Sequence, residues 1–119
     1  MTVAEEIQVA NEAYVKSWTK GQLPLPPARK VAIVTCMDAR ILPASAFGLK
    51  EGDAHVIRNA GGRTDASHID FLPFSKLEQN VREDVAFLRN SPLIPKSVNI
   101  YGYVFDVATG RLVPVDSEQ

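Results

Sequence analysis

The sequence predicts an α/β domain: a small, mainly parallel sheet of about four strands, with an antiparallel hairpin at its C-terminal edge and helices flanking it. Three observations carry this expectation. Residues 30–38, KVAIVTCMD, hold a continuous small and β-branched run, as in a strand covered on both faces. A short helix signal and a second strand signal follow, which is the order of a βαβ unit. Near the C-terminus two strand-like runs are separated by Ala108-Thr109-Gly110, with glycine where a hairpin needs a positive φ.

The first element is expected to be a helix over residues 3–19. Thr2 and Glu5 have capping-box spacing, in which each side chain satisfies an amide left open at the helix start. Val3, Ile7, Ala10, Tyr14 and Trp18 form one apolar stripe. Packing on the chain's own core and docking on a partner subunit both remain open for it. Residues 21–27, GQLPLPP, form an extended connector, because proline fixes the backbone and removes amide donors. After the strand over 30–38, Pro43 starts and Gly48 ends a short helix. Residues 53–60, DAHVIRNA, are the second strand and residues 61–67 a loop.

A second long helix is expected over residues 75–89. Ser75 and Glu78 repeat the capping-box spacing, and Leu77, Val81, Val85 and Leu88 supply its buried stripe. Residues 97–107 and 111–115 are the hairpin strands. All of this fits a single domain over residues 1–119, with residues 1–27 as an N-terminal helix and Pro-rich arm.

Composition narrows the function classes. The chain has 119 residues, with 13 Lys and Arg against 14 Asp and Glu, and a net charge of −1. That balance argues against a dedicated nucleic-acid binder. No stretch approaches the roughly 18 apolar residues of a membrane span, and residues 1–20 do not read as a signal peptide. The expectation is a soluble cytoplasmic protein that engages neither nucleic acid nor membrane. The one cysteine, Cys36, excludes an intrachain disulfide and a Cys-only metal site within one chain.

Two segments could carry chemistry. Cys36-Met37-Asp38-Ala39-Arg40 directly follows the first strand, and ligands bind outside the carboxyl ends of strands in open α/β sheets. Alternate side chains let Cys36, Asp38 and Arg40 share a face. A thiolate is a strong zinc ligand, and an arginine beside a carboxylate lowers its pKa and orients it. A free cysteine at a strand end, followed by a surface Asp–Arg pair, accounts for the same residues without function. The second segment, Arg58-Asn59-Ala60-Gly61-Gly62-Arg63, ends the second strand. Its glycines permit a close backbone approach, and its amides could cradle an anion. A tight turn with surface arginines is the plainer reading.

With these motifs in place, the chain resembles the β-class carbonic anhydrases. The likeness rests on Cys36-Met-Asp-Ala-Arg40, on residues 52–62 (GDAHVIRNAGG) and on residues 102–110 (GYVFDVATG). The N-terminal helix and Pro-rich arm match as well, so the resemblance covers nearly the whole chain. It implies zinc held by a Cys from the first strand and by an H-x-x-C pair from a later one. It implies reversible hydration of carbon dioxide to bicarbonate through zinc-bound hydroxide. Carried over, Cys36 is the first zinc ligand, Asp38 the carboxylate that gates the fourth position, and Arg40 its partner. A homodimer or higher oligomer is implied, with the N-terminal helix reaching across.

The sequence departs from the family at one place. It contains no H-x-x-C, and the segment that would bear it is missing between Gly62-Arg63-Thr64-Asp65 and Ser67-His68-Ile69-Asp70. A site of Cys36, Asp38 and His68 is chemically permissible for zinc. His55 lies near the start of the second strand, away from the zinc end. Three functions stand beside one another: a shortened carbonic anhydrase with weak or lost activity, a non-catalytic interaction protein of that lineage, and an enzyme using the Cys36 thiolate as nucleophile. With the central strand missing, residues 99–104 are expected to pair with the first strand.

Overall fold

The computed structural model describes residues 1–64 and 76–115. Its elements run in the order α1 (Val3–Lys16), β1 (Val31–Cys36), α2 (Pro43–Phe47), β2 (Ala54–Asn59), α3 (Leu77–Asn90), β3 (Gly102–Asp106) and β4 (Arg111–Val115). The α/β class, the parallel pair, the hairpin and the flanking helices are those the sequence predicts.

β1 and β2 pair in parallel, with Val31 opposite Ala54 and Cys36 opposite Asn59. The continuous β-branched run of β1 suits this pairing. α2 connects the strands, started by Pro43 and stopped by Gly48 in the left-handed conformation. β3 and β4 form the antiparallel hairpin, with Gly102 opposite Val115 and Asp106 opposite Arg111. Gly110 sits at φ +76°, as the turn requires.

One expected pairing is not formed. Among the described residues β3 bonds only β4, so the four strands make two two-stranded sheets, and β1 has no strand on its outer edge. The reason lies in what holds the hairpin. A Cβ on Gly102 would stand 2.5 Å from Val81 and 2.9 Å from Val85, so β3 is drawn tightly against α3. Helix packing, rather than strand pairing, sets the hairpin's position.

Side-chain contacts link the β1–β2 half to the half formed by α3 and the hairpin. The Phe47 and Phe105 rings meet edge to face at 6.4 Å. Arg63, just past β2, pairs with Asp84 on α3, its Nε donating at 2.7 Å. Both residues are more than nine-tenths buried, at 7% and 8% exposure. Ile41, Pro43, Val85 and Val115 are buried apolar residues of the described chain.

The helices end close to their expected limits. α1 has its full Thr2–Glu5 capping box and stops at Lys16, capped by Ser17. α3 has Lys76 at its N-cap and no side-chain cap bond; the expected Ser75 cap lies outside the described residues. None of the residues of α1 is buried, and its stripe stands exposed, Val3 at 70% and Ile7 at 64%. The helix therefore does not pack on the chain's own core. The radius of gyration is 16.9 Å, against roughly 13.5 Å for a compact chain of this length. No helix among the described residues is long and apolar enough to cross a membrane.

Replacing Arg63 by Met strands the Asp84 carboxylate in the interior. The expected loss is about 3 kcal/mol, the scale for breaking a buried pair. Arg82→Met removes only an exposed 3.4 Å contact with Glu78 on the same helix, and is expected to cost less than about 0.5 kcal/mol. Urea unfolding of the two variants checks the contrast.

Candidate functional site

The parallel register carries both sequence motifs to one place. Cys36 and Asn59 are partners across β1 and β2, so the Cys36–Arg40 turn and the Asn59–Arg63 turn leave the same end of the sheet. Met37 extends the pairing by donating its amide to the Asn59 carbonyl at 2.9 Å.

Asp38 organises the first turn. Its Oδ1 accepts from the Arg40 backbone amide at 2.9 Å and from Arg40 Nε at 3.1 Å. Its Oδ2 accepts from Arg40 NH2 at 2.7 Å. This combines an Asx turn with a two-pronged carboxylate–guanidinium pair. The Arg40 side chain, then its backbone amide, hold the Asp38 carboxyl down at about 2. Arg40 is correspondingly raised by Asp38. The expected Asp38–Arg40 pairing is thus present, and both carboxylate oxygens are engaged.

Arg58 holds the turn from the other strand. Its Nε and NH2 donate to the Cys36 carbonyl at 3.0 and 2.8 Å. The same NH2 donates to the carbonyls of Asp38 at 2.9 Å and Ile41 at 3.0 Å. Three carbonyl oxygens that would otherwise crowd one another converge on a single cation. The sequence did not disclose this role. It depends on carbonyls 17 to 22 residues away in the chain.

The second turn is closed by Asn59. Its Nδ2 donates to the Arg63 carbonyl, and its Oδ1 accepts from the Arg63 amide, both at 2.8 Å. Gly61 and Gly62 have φ of +88° and +64°. A Cβ on Gly62 would lie 2.8 Å from the Cys36 nitrogen and 2.9 Å from the Thr35 carbonyl carbon. The close approach is therefore to β1 itself. Arg63 is not the surface arginine of the plainer reading, because it is buried against Asp84. A signal for that pair was available: Asp84 lies three residues after Val81 and four before Leu88, on the apolar stripe.

Of the proposed metal ligands, the strand end brings Cys36 and Asp38 together. His68 lies outside the described residues. His55 sits opposite Ala32, four positions from Cys36 along the sheet, which is about 13 Å at the rise of a strand. Among the described residues no group of three or more His, Cys, Asp or Glu could hold a metal ion. The donors at the strand end are one thiol and one carboxylate already bound to Arg40. Tetrahedral zinc needs three or four donors, so these residues do not fit the ion.

No family model matches the chain. It is 30% identical to β-carbonic anhydrase 1 of Mycobacterium tuberculosis, over 94% of this chain and 97% of that protein. The alignment runs to 159 positions, more than the 119 residues of this chain. It is 25% identical to a carbon disulfide hydrolase of Acidithiobacillus thiooxidans, over 96% of this chain and 91% of that one. The fold superposes on the carbonic anhydrase of Streptococcus mutans with a TM-score of 0.84 and 37% identity, covering 98% and 99% of the two chains. The chain belongs to the β-carbonic anhydrase family, whose members are zinc-dependent.

Two outcomes test the site. Gly62→Ala adds a Cβ where backbone already stands and imposes a left-handed φ on an L residue; a loss of about 2 kcal/mol or more is expected in urea unfolding. Arg40→Met is expected to return the Asp38 carboxyl from about 2 toward the ordinary aspartate range, read by carbon-13 NMR titration. Because the folded pKa is the lower one, the pair's stabilisation is complete above the unfolded pKa. It is lost as pH falls through about 2, and the variant lacks that acid-range dependence.

Proposed function

We propose that this chain is a shortened β-carbonic anhydrase whose carbon dioxide hydration is weak or lost. One observation carries the reading: the whole sequence has a single cysteine, Cys36. The family's second cysteine, in H-x-x-C, therefore has no counterpart. We place the missing block between Asp65 and Ser67, shortly after the second-strand motif ends at Gly62. Cys36 keeps the role of a lone first ligand. Asp38 and Arg40 keep the gating pair, and their pairing with each other is the arrangement that would leave the fourth position to water. His68 is the remaining candidate third ligand. Any residual zinc binding, with carbon dioxide and bicarbonate as ligands, would depend on these residues.

A second reading is favoured by a specific observation, the exposed face of α1. The protein then acts as a non-catalytic interaction partner, forming a homodimer or higher oligomer through the residue 1–27 arm. The accessible surface supports an oligomer: it is 9326 Å² for 13.0 kDa, against roughly 6,300 Å² for a compact monomer. The surplus exceeds the ~800 Å² that each partner buries in an ordinary specific interface. A cytoplasmic location fits a free thiol at Cys36.

Metal analysis and stopped-flow carbon dioxide hydration on the purified chain decide between full and lost function. The expected result is zinc well below one ion per chain and hydration near the uncatalysed rate. Stoichiometric zinc that disappears in Cys36→Ser, together with rapid hydration, would overturn the proposal.

A further inference from the structure

The base of the N-terminal arm is fastened to the body at one short turn, residues 50–53, which leads into β2. Glu51 is the centre of the attachment. Its Oε1 accepts from the Tyr14 hydroxyl at 2.9 Å, and its Oε2 from Lys20 Nζ at 2.5 Å. These partners lie 37 and 31 residues away in the chain. Tyr14 in turn packs on Trp18, with ring centroids 5.5 Å apart.

Backbone contacts extend the seat. The Gly52 carbonyl accepts from Ala28 at 2.8 Å, and the Asp53 carbonyl from Arg29 at 3.0 Å. Gly52 has φ +86°, and a Cβ there would meet Leu23 at 3.1 Å. The turn thus grips the arm at the end of α1, at the Pro-rich connector and just before β1. Beyond Tyr14 the helix has nothing buried beneath it.

We infer that Glu51 is the seat of the arm, and that it sets the direction in which α1 offers its apolar face to a second copy of this chain. The inference rests on the oligomer reading above. A helix held at its base loses less freedom on docking than one that swings on a proline linker, and less lost freedom means tighter association. The surplus accessible surface is large enough for a second copy to cover. Glu51 touches Tyr14 and Lys20, not the leading residues Val3 and Ile7, so it acts on association through the helix's aim.

The test uses the full chain. Sedimentation velocity measures dimer dissociation, and acrylamide quenching of Trp18, the single tryptophan, reports the seat at concentrations below dissociation. Glu51→Ala is expected to raise the dimer dissociation constant about 5- to 30-fold and to speed Trp18 quenching, with the circular dichroism of the helices unchanged. Tyr14→Phe, which removes one bond and keeps the ring, should give a smaller rise. It also stands in if Glu51→Ala does not fold, and an unchanged constant in it then overturns the inference. A dimeric wild type with unchanged dissociation in Glu51→Ala overturns the seat and leaves the oligomer reading intact. A wild type that stays monomeric at all concentrations overturns both.

Discussion

The ion pair between Arg63 and Asp84 joins the two halves of this protein. On one side are β1, β2 and the turns at their carboxyl ends. On the other are α3 and the hairpin. No strand hydrogen bonds cross between them among the described residues. Arg63 makes the link because Asn59 holds its backbone at both amide and carbonyl, and its guanidinium is then buried against an acid on the apolar face of α3. A buried charge is tolerable only with its partner in place, so the pair specifies where α3 sits as well as holding it there. The Phe47–Phe105 contact adds apolar area to the same junction.

The candidate site follows from that junction. Parallel pairing places Cys36 opposite Asn59, and Gly62 then lies against the backbone of Thr35 and Cys36. Arg58 draws three carbonyls of the first turn together. The Asp38–Arg40 pair is the outcome of this local scaffold. Among the described residues the strand end offers no complete donor set for zinc. A fold can persist when a site's ligands do not, because its stability comes from register, close packing and buried pairing spread over several elements.

The chain's open surfaces have a common origin. A β1 run suited to cover on both faces has a partner on one edge only. The N-terminal helix is well capped, yet it buries none of its residues. An amphipathic helix gains little from its own propensity and much from a surface to pack on.

Local patterning was enough to read the element order, the Thr2–Glu5 cap, the Pro43 and Gly48 limits of α2 and the Gly110 turn. These depend on side chains acting within a few residues of themselves. The Cys36–Arg40 and Gly52–Gly62 motifs likewise pointed to the family before any coordinate was known, and Asp38 does pair with Arg40, two residues away. Contacts across long separations were not readable in that way. The sequence leads to a pairing of residues 99–104 with β1, but packing of Gly102 under Val81 and Val85 takes the hairpin to α3. Arg63 read as a surface residue until its Asp84 partner, 21 residues on, was brought beside it. Arg58 and Glu51 acquire their roles only when distant carbonyls and the arm arrive within hydrogen-bond reach. Residue chemistry and spacing settled the elements, and the resemblance carried by two motifs pointed to the family, because those are properties of the chain as written. Which charges are buried, which strands pair and where the arm is held were settled by folding, because each requires groups far apart in sequence to share one small volume.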